Sequence, residues 1–92
     1  MIYCRHENVL MDSFDNQVLL FDLRNNLPYI LNDVASYVFM HTDGTSGPEV
    51  IAEKVCEKYD VEFNRALLDI ELLYEDLVQK GLIRRVEEQQ WR

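Results

Sequence analysis

The stretch Leu31-Asn32-Asp33-Val34-Ala35-Ser36-Tyr37-Val38-Phe39-Met40-His41-Thr42-Asp43-Gly44 decides how this chain folds. Leu31 ends an apolar run, and Asn32 is a residue that stops a strand and caps a helix. Ala35, Val38 and Phe39 recur at helical spacing, and Asp43-Gly44 closes the helix with a residue that tolerates a left-handed turn. Strands are expected before this seam and helices after it.

Upstream, Val9-Leu10-Met11 reads as a short first strand and Asp12 to Asn16 as turn chemistry. Gln17 to Leu23 is the clearest strand, β-branched and aromatic and apolar on both alternating faces. Arg24-Asn25-Asn26 is a turn in which either asparagine can take positive φ. Leu27-Pro28-Tyr29-Ile30-Leu31 then pairs back as a third strand. Pro28 cannot donate to a ladder, so this strand is expected at a sheet edge, where free backbone groups can receive a peptide.

Downstream, the first helix is expected over about Asp33–His41. Ser46 and Glu49 have capping-box spacing, with Pro48 in the first turn of a second helix. Ile51, Ala52, Val55 and Tyr59 form its apolar face, and Asp60-Val61-Glu62 ends it. The third helix runs from about Glu62 to Lys80 and stops at Gly81. Its broad core face carries Phe63, Ala66, Leu67, Ile70, Leu73, Tyr74, Leu77 and Val78. Leu68 and Leu72 fall outside that face, on a second apolar stripe that needs a partner. Leu82-Ile83 pack after the glycine, and the chain from Arg84 onward reads as polar. The order predicts an α+β fold, a three-stranded N-terminal antiparallel sheet on a three-helix, winged-helix-like bundle. Residues 1–86 are read as one domain and 87–92 as a polar tail.

Composition narrows the function. The 92 residues are 48% hydrophobic and 28% charged, the balance of a soluble globular domain. The longest apolar runs are too short to span a membrane, and the first residues lack an apolar signal core, so a cytoplasmic protein is expected. A net charge of −8 with scattered basic residues argues against a nucleic-acid partner and suits a basic peptide or a basic patch on an enzyme. Cys4 and Cys56 are far apart and have no metal-ligand spacing; both read as reduced thiols, and no metal or other cofactor is expected. His6 and His41 lie in no nucleophile–base or ligand pattern, and Gly44-Thr45-Ser46-Gly47 lacks the lysine of a phosphate loop. No enzyme active site is apparent in the sequence.

The seam also resembles the signature of the PqqD-like family, the RiPP recognition elements that bind precursor peptides. Leu31-Asn32, Ala35, Val38-Phe39 and Asp43-Gly44 match in register. A second family element resembles Ile51 to Val61, and a third resembles Asp69-Ile70 through Leu77 to Gly81-Leu82-Ile83. The resemblance covers about Val18 to Ile83. Phe39 stands where the family often has Trp, and His41-Thr42 where it often has apolar residues, so looser packing is expected at the end of the first helix.

The resemblance implies three N-terminal strands on three helices and a non-catalytic peptide chaperone. In that reading a leader peptide adds as a strand beside the third strand, against the third helix. It is then presented to a maturation enzyme such as a radical SAM protein, a protease or a cyclase. The residues this points to are Tyr29, Ile30 and Leu31 for pairing, with Arg65, Leu68, Asp69 and Leu72 lining the groove. Leu68 and Leu72 have a second reading, packing on the chain's own sheet. Arg65 has one too, as a solvated charge paired with Asp69 at i+4. Trp91 is either a chain end or a docking residue. An unpaired edge strand and a loose N-terminal hairpin allow a homodimer. The alternative functions are a winged-helix DNA-binding regulator, which needs a basic recognition helix, and a docking subunit that binds only its enzyme. The third helix is acidic, with Asp69, Glu71, Glu75 and Asp76 against Arg65 and Lys80.

Overall fold

The computed structural model describes residues 1–86. Trp91 and the rest of 87–92 lie outside the described residues. The element order is β1 (Tyr3–Arg5), β2 (Val9–Phe14), β3 (Gln17–Asp22), β4 (Leu27–Ile30), α1 (Asp33–Met40), α2 (Pro48–Tyr59), α3 (Phe63–Gln79) and β5 (Ile83–Arg85). Strands β2, β3 and β4 form one antiparallel sheet in that order, so β4 is an edge. Strands β1 and β5 form a second, two-stranded antiparallel sheet.

The three-stranded sheet and three helices follow the sequence closely, with differences that have local causes. Strand β2 continues to Phe14 instead of stopping at Met11, because Asp12 and Ser13 find ladder partners in Leu19 and Val18. The turn shrinks to Asp15-Asn16, with Asp15 at φ 57°. At the other hairpin it is Asn26 that takes positive φ, 61°. The expected polar stretch from Arg84 is in part strand: Tyr3 pairs with Arg85 and Arg5 with Ile83, and the Val86 N–H donates to the Ile2 carbonyl at 2.8 Å.

Asn32 caps α1 as its chemistry requires, its side chain accepting from the Ala35 N–H at 2.8 Å. The Ser46–Glu49 capping box does not form. Gly47 is the N-cap of α2 and makes no side-chain cap bond, while Pro48 occupies the first turn. Asp43 organises this loop instead, its carboxylate accepting from the Thr45 N–H at 3.0 Å and the Thr45 hydroxyl at 2.7 Å. Helix α3 ends in a Schellman arrangement: Gly81 at φ 74° donates to the Val78 carbonyl, and Leu82 donates to the Leu77 carbonyl.

The core lies between the inner face of the β2–β3–β4 sheet and the helices. Val9, Val18, Leu20 and Leu31 meet Val38 and Phe39 of α1, Ile51 and Val55 of α2, and Ala66, Ile70, Tyr74 and Leu77 of α3. Phe63 and Val78, expected on the core face, are exposed near the two ends of α3. The end of α1 is packed: Thr42 is buried, and its hydroxyl donates to the Val38 carbonyl at 2.7 Å. That leaves the Tyr74 hydroxyl to donate to Thr42, also at 2.7 Å. His41 packs edge-on against Tyr37, ring centroids 4.6 Å apart.

Asp22 is the buried charge of the sheet. The Asn25 side-chain amide donates to it at 2.8 Å, and the Arg24 N–H donates at 3.0 Å. Together with the Arg24 guanidinium, these donors hold its carboxyl below the ordinary value of 3.8. The stabilisation from this group is fully present above the ordinary carboxylate range and is lost as pH falls through the lowered native value. Glu7, hydrogen-bonded by its own backbone N–H and beside Arg84, and Asp43, hydrogen-bonded by Thr45, shift in the same direction. Denaturant midpoints should therefore stay level from neutral pH to about 5 and drop below about 4. An Asp22→Asn variant should lose less of its own neutral-pH stability on acidification. Equal acid sensitivity in the two proteins would remove Asp22 as a cause.

Candidate functional site: an open strand edge beside a helical groove

Strand β4 pairs with β3 on one side only. The chain from Arg24 to Asn32 meets the C-terminal half of α3 at several points. Arg24, in the turn before β4, donates to the Gly81 carbonyl at 2.8 Å, fixing the start of β4 at the C-terminal end of α3. Tyr29 lies next, with the Lys80 ammonium 5.8 Å from its ring centroid. Past the end of β4, Asn32 shares a groove with Asp69, Leu72 and Leu73 of α3. Three strand residues and eight helix residues both cover about 10–12 Å, so chain and helix keep pace over this span.

The groove has a volume of about 450 Å³. Val34 and Ala35 of α1 form one wall, Asp69, Leu72 and Leu73 of α3 the other, and Tyr59 and Val61 close the far end. Val38, Val55, Ala66 and Ile70 form an apolar floor that belongs to the core. The walls are apolar apart from Asn32 and Asp69, the composition of a site that binds apolar side chains and orients them with few polar groups.

The residues singled out from the sequence are sorted by this geometry. Leu72 and Asp69 line the groove. Leu68, one turn away on the same stripe, does not line it. At 51% and 55% exposure, Leu68 and Leu72 do not pack on the chain's own sheet. Arg65 is also outside the lining; its guanidinium Nε donates to both Asp69 carboxylate oxygens, at 3.2 and 3.3 Å. This is the expected i,i+4 pair, and it orients the Asp69 carboxylate on the groove wall. Exposed as it is, the pair adds only about 0.3–0.5 kcal/mol to the helix.

In β4, Tyr29 is half-buried on the helix side and Ile30 is 71% exposed on the opposite face; Leu31, just past the strand, is core. The Leu31 N–H donates to the Val18 carbonyl at 3.0 Å, and its carbonyl accepts from the Ser36 hydroxyl at 3.2 Å. Leu31 thus anchors the edge strand but has no backbone group left for a guest. Sequence reasoning missed Val34, Tyr59, Val61 and Leu73. Val34 gave a usable signal, an apolar residue in the first turn of α1 off its core face. The others belong to elements that meet only in the folded chain. Among the described residues, no group of three or more His, Cys, Asp or Glu side chains is placed to hold a metal ion. No helix there is long and apolar enough to cross a membrane.

Fold and site define a small α+β domain organised around one open-edged strand and the helical groove beside it. Residues 17–83 match the family described as Coenzyme PQQ synthesis protein D, and the chain belongs to this PqqD family. The comparison with curated proteins gives no match. Two solved structures share the fold. One is described as TbiB1 in complex with the TbiA(beta) leader peptide, with TM-score 0.84, 21% identity, and coverage of 92% of this chain and 99% of that one. The other is a lasso peptide synthetase B1 complexed with the leader peptide, with TM-score 0.83, 23% identity, and coverage of 91% and 99%.

Proposed function

We propose that this chain captures the leader segment of a ribosomally made precursor peptide by strand addition to β4, with the guest's side chains reaching the groove along α3. It then presents the precursor to a modifying enzyme, a radical SAM protein, a protease or a cyclase, and does no chemistry itself. The observation that carries this reading is the juxtaposition of an unpaired strand edge with an apolar groove. Edge hydrogen bonds supply affinity with little regard to sequence, and the groove supplies side-chain selectivity. Membership of the PqqD family supports it, as does the shared fold of two structures described with leader peptides bound. We read the helical layer as winged-helix-like, with α3 in the place of a recognition helix; its acidic exposed face suits a peptide wall and not a phosphate backbone.

The test is a titration of isotopically labelled protein with leader segments encoded by neighbouring genes. Backbone amide shifts should concentrate in 27–32 and along the 65–73 face of α3. No shift with any of these leaders would count against the proposal. Leu72→Glu should weaken binding by about tenfold or more, the size expected for an anchor residue at a groove wall. Because Leu72 is exposed, the variant should keep its melting temperature within a few degrees. Unchanged affinity in a folded Leu72→Glu protein would remove α3 from the binding surface.

A further inference from the structure

The open edge of β4 is not uniform. In an antiparallel ladder, each residue turns both its N–H and its C=O toward the same neighbour, and successive residues alternate. The bond from the Leu31 N–H to the Val18 carbonyl, with Leu20 opposite Tyr29 and Asp22 opposite Leu27, sets that alternation. Leu27, Tyr29 and Leu31 face β3, whereas Pro28 and Ile30 face the open side. Pro28 has no N–H. Within β4, Ile30 is therefore the one residue that offers both a donor and an acceptor outward, and Pro28 adds a lone carbonyl. No hydrogen bond among the described residues uses the Ile30 amide outside the ladder.

We propose that Ile30 is the backbone anchor of the guest strand. This rests on the strand-addition reading above. A guest residue placed opposite Ile30 in antiparallel sense closes both bonds, its N–H to the Ile30 carbonyl and its carbonyl to the Ile30 N–H. The guest residue two positions further on donates to the Pro28 carbonyl, and its own carbonyl stays with water. Sliding the guest by two residues brings another guest residue opposite Ile30 with the same backbone bonds, so the guest's side chains decide which of its residues anchors there. Side chains follow from the same alternation. The anchoring guest residue shares the face of Ile30, which lies across the ladder from Leu19, both exposed and apolar. Its two neighbours point to the face of Tyr29 and Leu31, the helix side. The segment recognised is thus extended, apolar at three consecutive positions, and free of proline at the middle one.

The experiment uses the full chain and fluorescent synthetic leader segments from the neighbouring precursor genes, read by anisotropy. Ile30→Pro removes the outward N–H without touching the ladder to β3, because that N–H is not part of it. Affinity should fall about tenfold or more, as when a hydrogen bond is lost and its acceptor left unpaired. Pro28→Ala restores a donor and should bind at least as tightly as the parent. Against the unaltered protein, single N-methylation along the bound segment should abolish binding at two positions, two residues apart, and be tolerated between them. This scan holds even if Ile30→Pro fails to fold. Equal sensitivity at every guest amide, or a folded Ile30→Pro protein binding within about threefold of the parent, overturns the anchor while leaving leader capture standing. No binding by the unaltered protein overturns both.

Discussion

Ile70→Ala should lower stability by about 2–5 kcal/mol, the range for a large aliphatic side chain removed from a packed site. Ile70 is 2% exposed, between Ala66 and Tyr74 on the inner face of α3, and it also forms part of the groove floor. A domain of this length has a total stability of only about 5–14 kcal/mol. At about 4–8 °C per kcal/mol, the melting temperature should fall by at least about 8 °C. Ile70→Val removes one methylene and should cost about 0.5–1.5 kcal/mol. Thermal unfolding followed by circular dichroism separates the two. An alanine variant that melts no lower than the valine variant would show that the floor collapses to fill the space. If the groove takes the leader as proposed, leader affinity should drop with Ile70→Ala as well, since the cavity opens in the groove floor.

The second large effect is expected from Ser36→Ala, although the substitution removes a single oxygen. The Ser36 hydroxyl is buried between β3 and β4, accepting from the Val18 N–H at 2.8 Å and donating to the Leu31 carbonyl. It stands in for the bond the Val18 N–H would otherwise make to the Leu31 carbonyl and so joins α1 to the sheet where the ladder ends. Alanine leaves a buried donor and a buried acceptor unpaired, each costing about 1–3 kcal/mol, for a total of about 2–6. Alanine is the better helix former, which offsets only about 0.5 kcal/mol of that. Denaturant unfolding should show the loss, and amide exchange at Val18 should accelerate more than exchange at Leu20. A loss below about 0.5 kcal/mol would mean that the strands close the gap themselves.

The parts of this architecture that were legible in the sequence have local causes. Asn32 announces the strand-to-helix change because its side chain makes the cap bond itself. Gly81 stops α3 because the turn needs positive φ there. Pro28 marks β4 as an edge because it lacks a donor, and helical spacing separates Leu68 and Leu72 from the buried Ile70, Tyr74 and Leu77. What escaped depends on partners that the local residue types do not announce. The three-residue strands β1 and β5 are too short to show a period, and only pairing with each other makes them strands. Ser46 has capping chemistry, but the helix begins at Gly47 while Asp43 holds the loop. Asp12 and Ser13 have turn chemistry, overridden by partners on β3. The groove was half visible: Leu72 and Asp69 could be named from the helix, but Tyr59 and Val61 reach the same cleft from the α2–α3 junction.

The pairing of Tyr3 with Arg85 has a kinetic consequence. It joins residues from opposite ends of the described chain, so it requires the largest loop closure in the fold, whereas the β2–β3–β4 hairpins and the α2–α3 pair close over short distances. The β1–β5 ladder should therefore form after the folding transition state, and interactions formed that late slow unfolding more than they speed folding. Substitutions there, such as Cys4→Gly, should raise the unfolding rate while leaving the refolding rate nearly unchanged, as read by stopped-flow kinetics. The open edge of β4, assembled from short-range contacts, belongs to the part of the molecule that forms early.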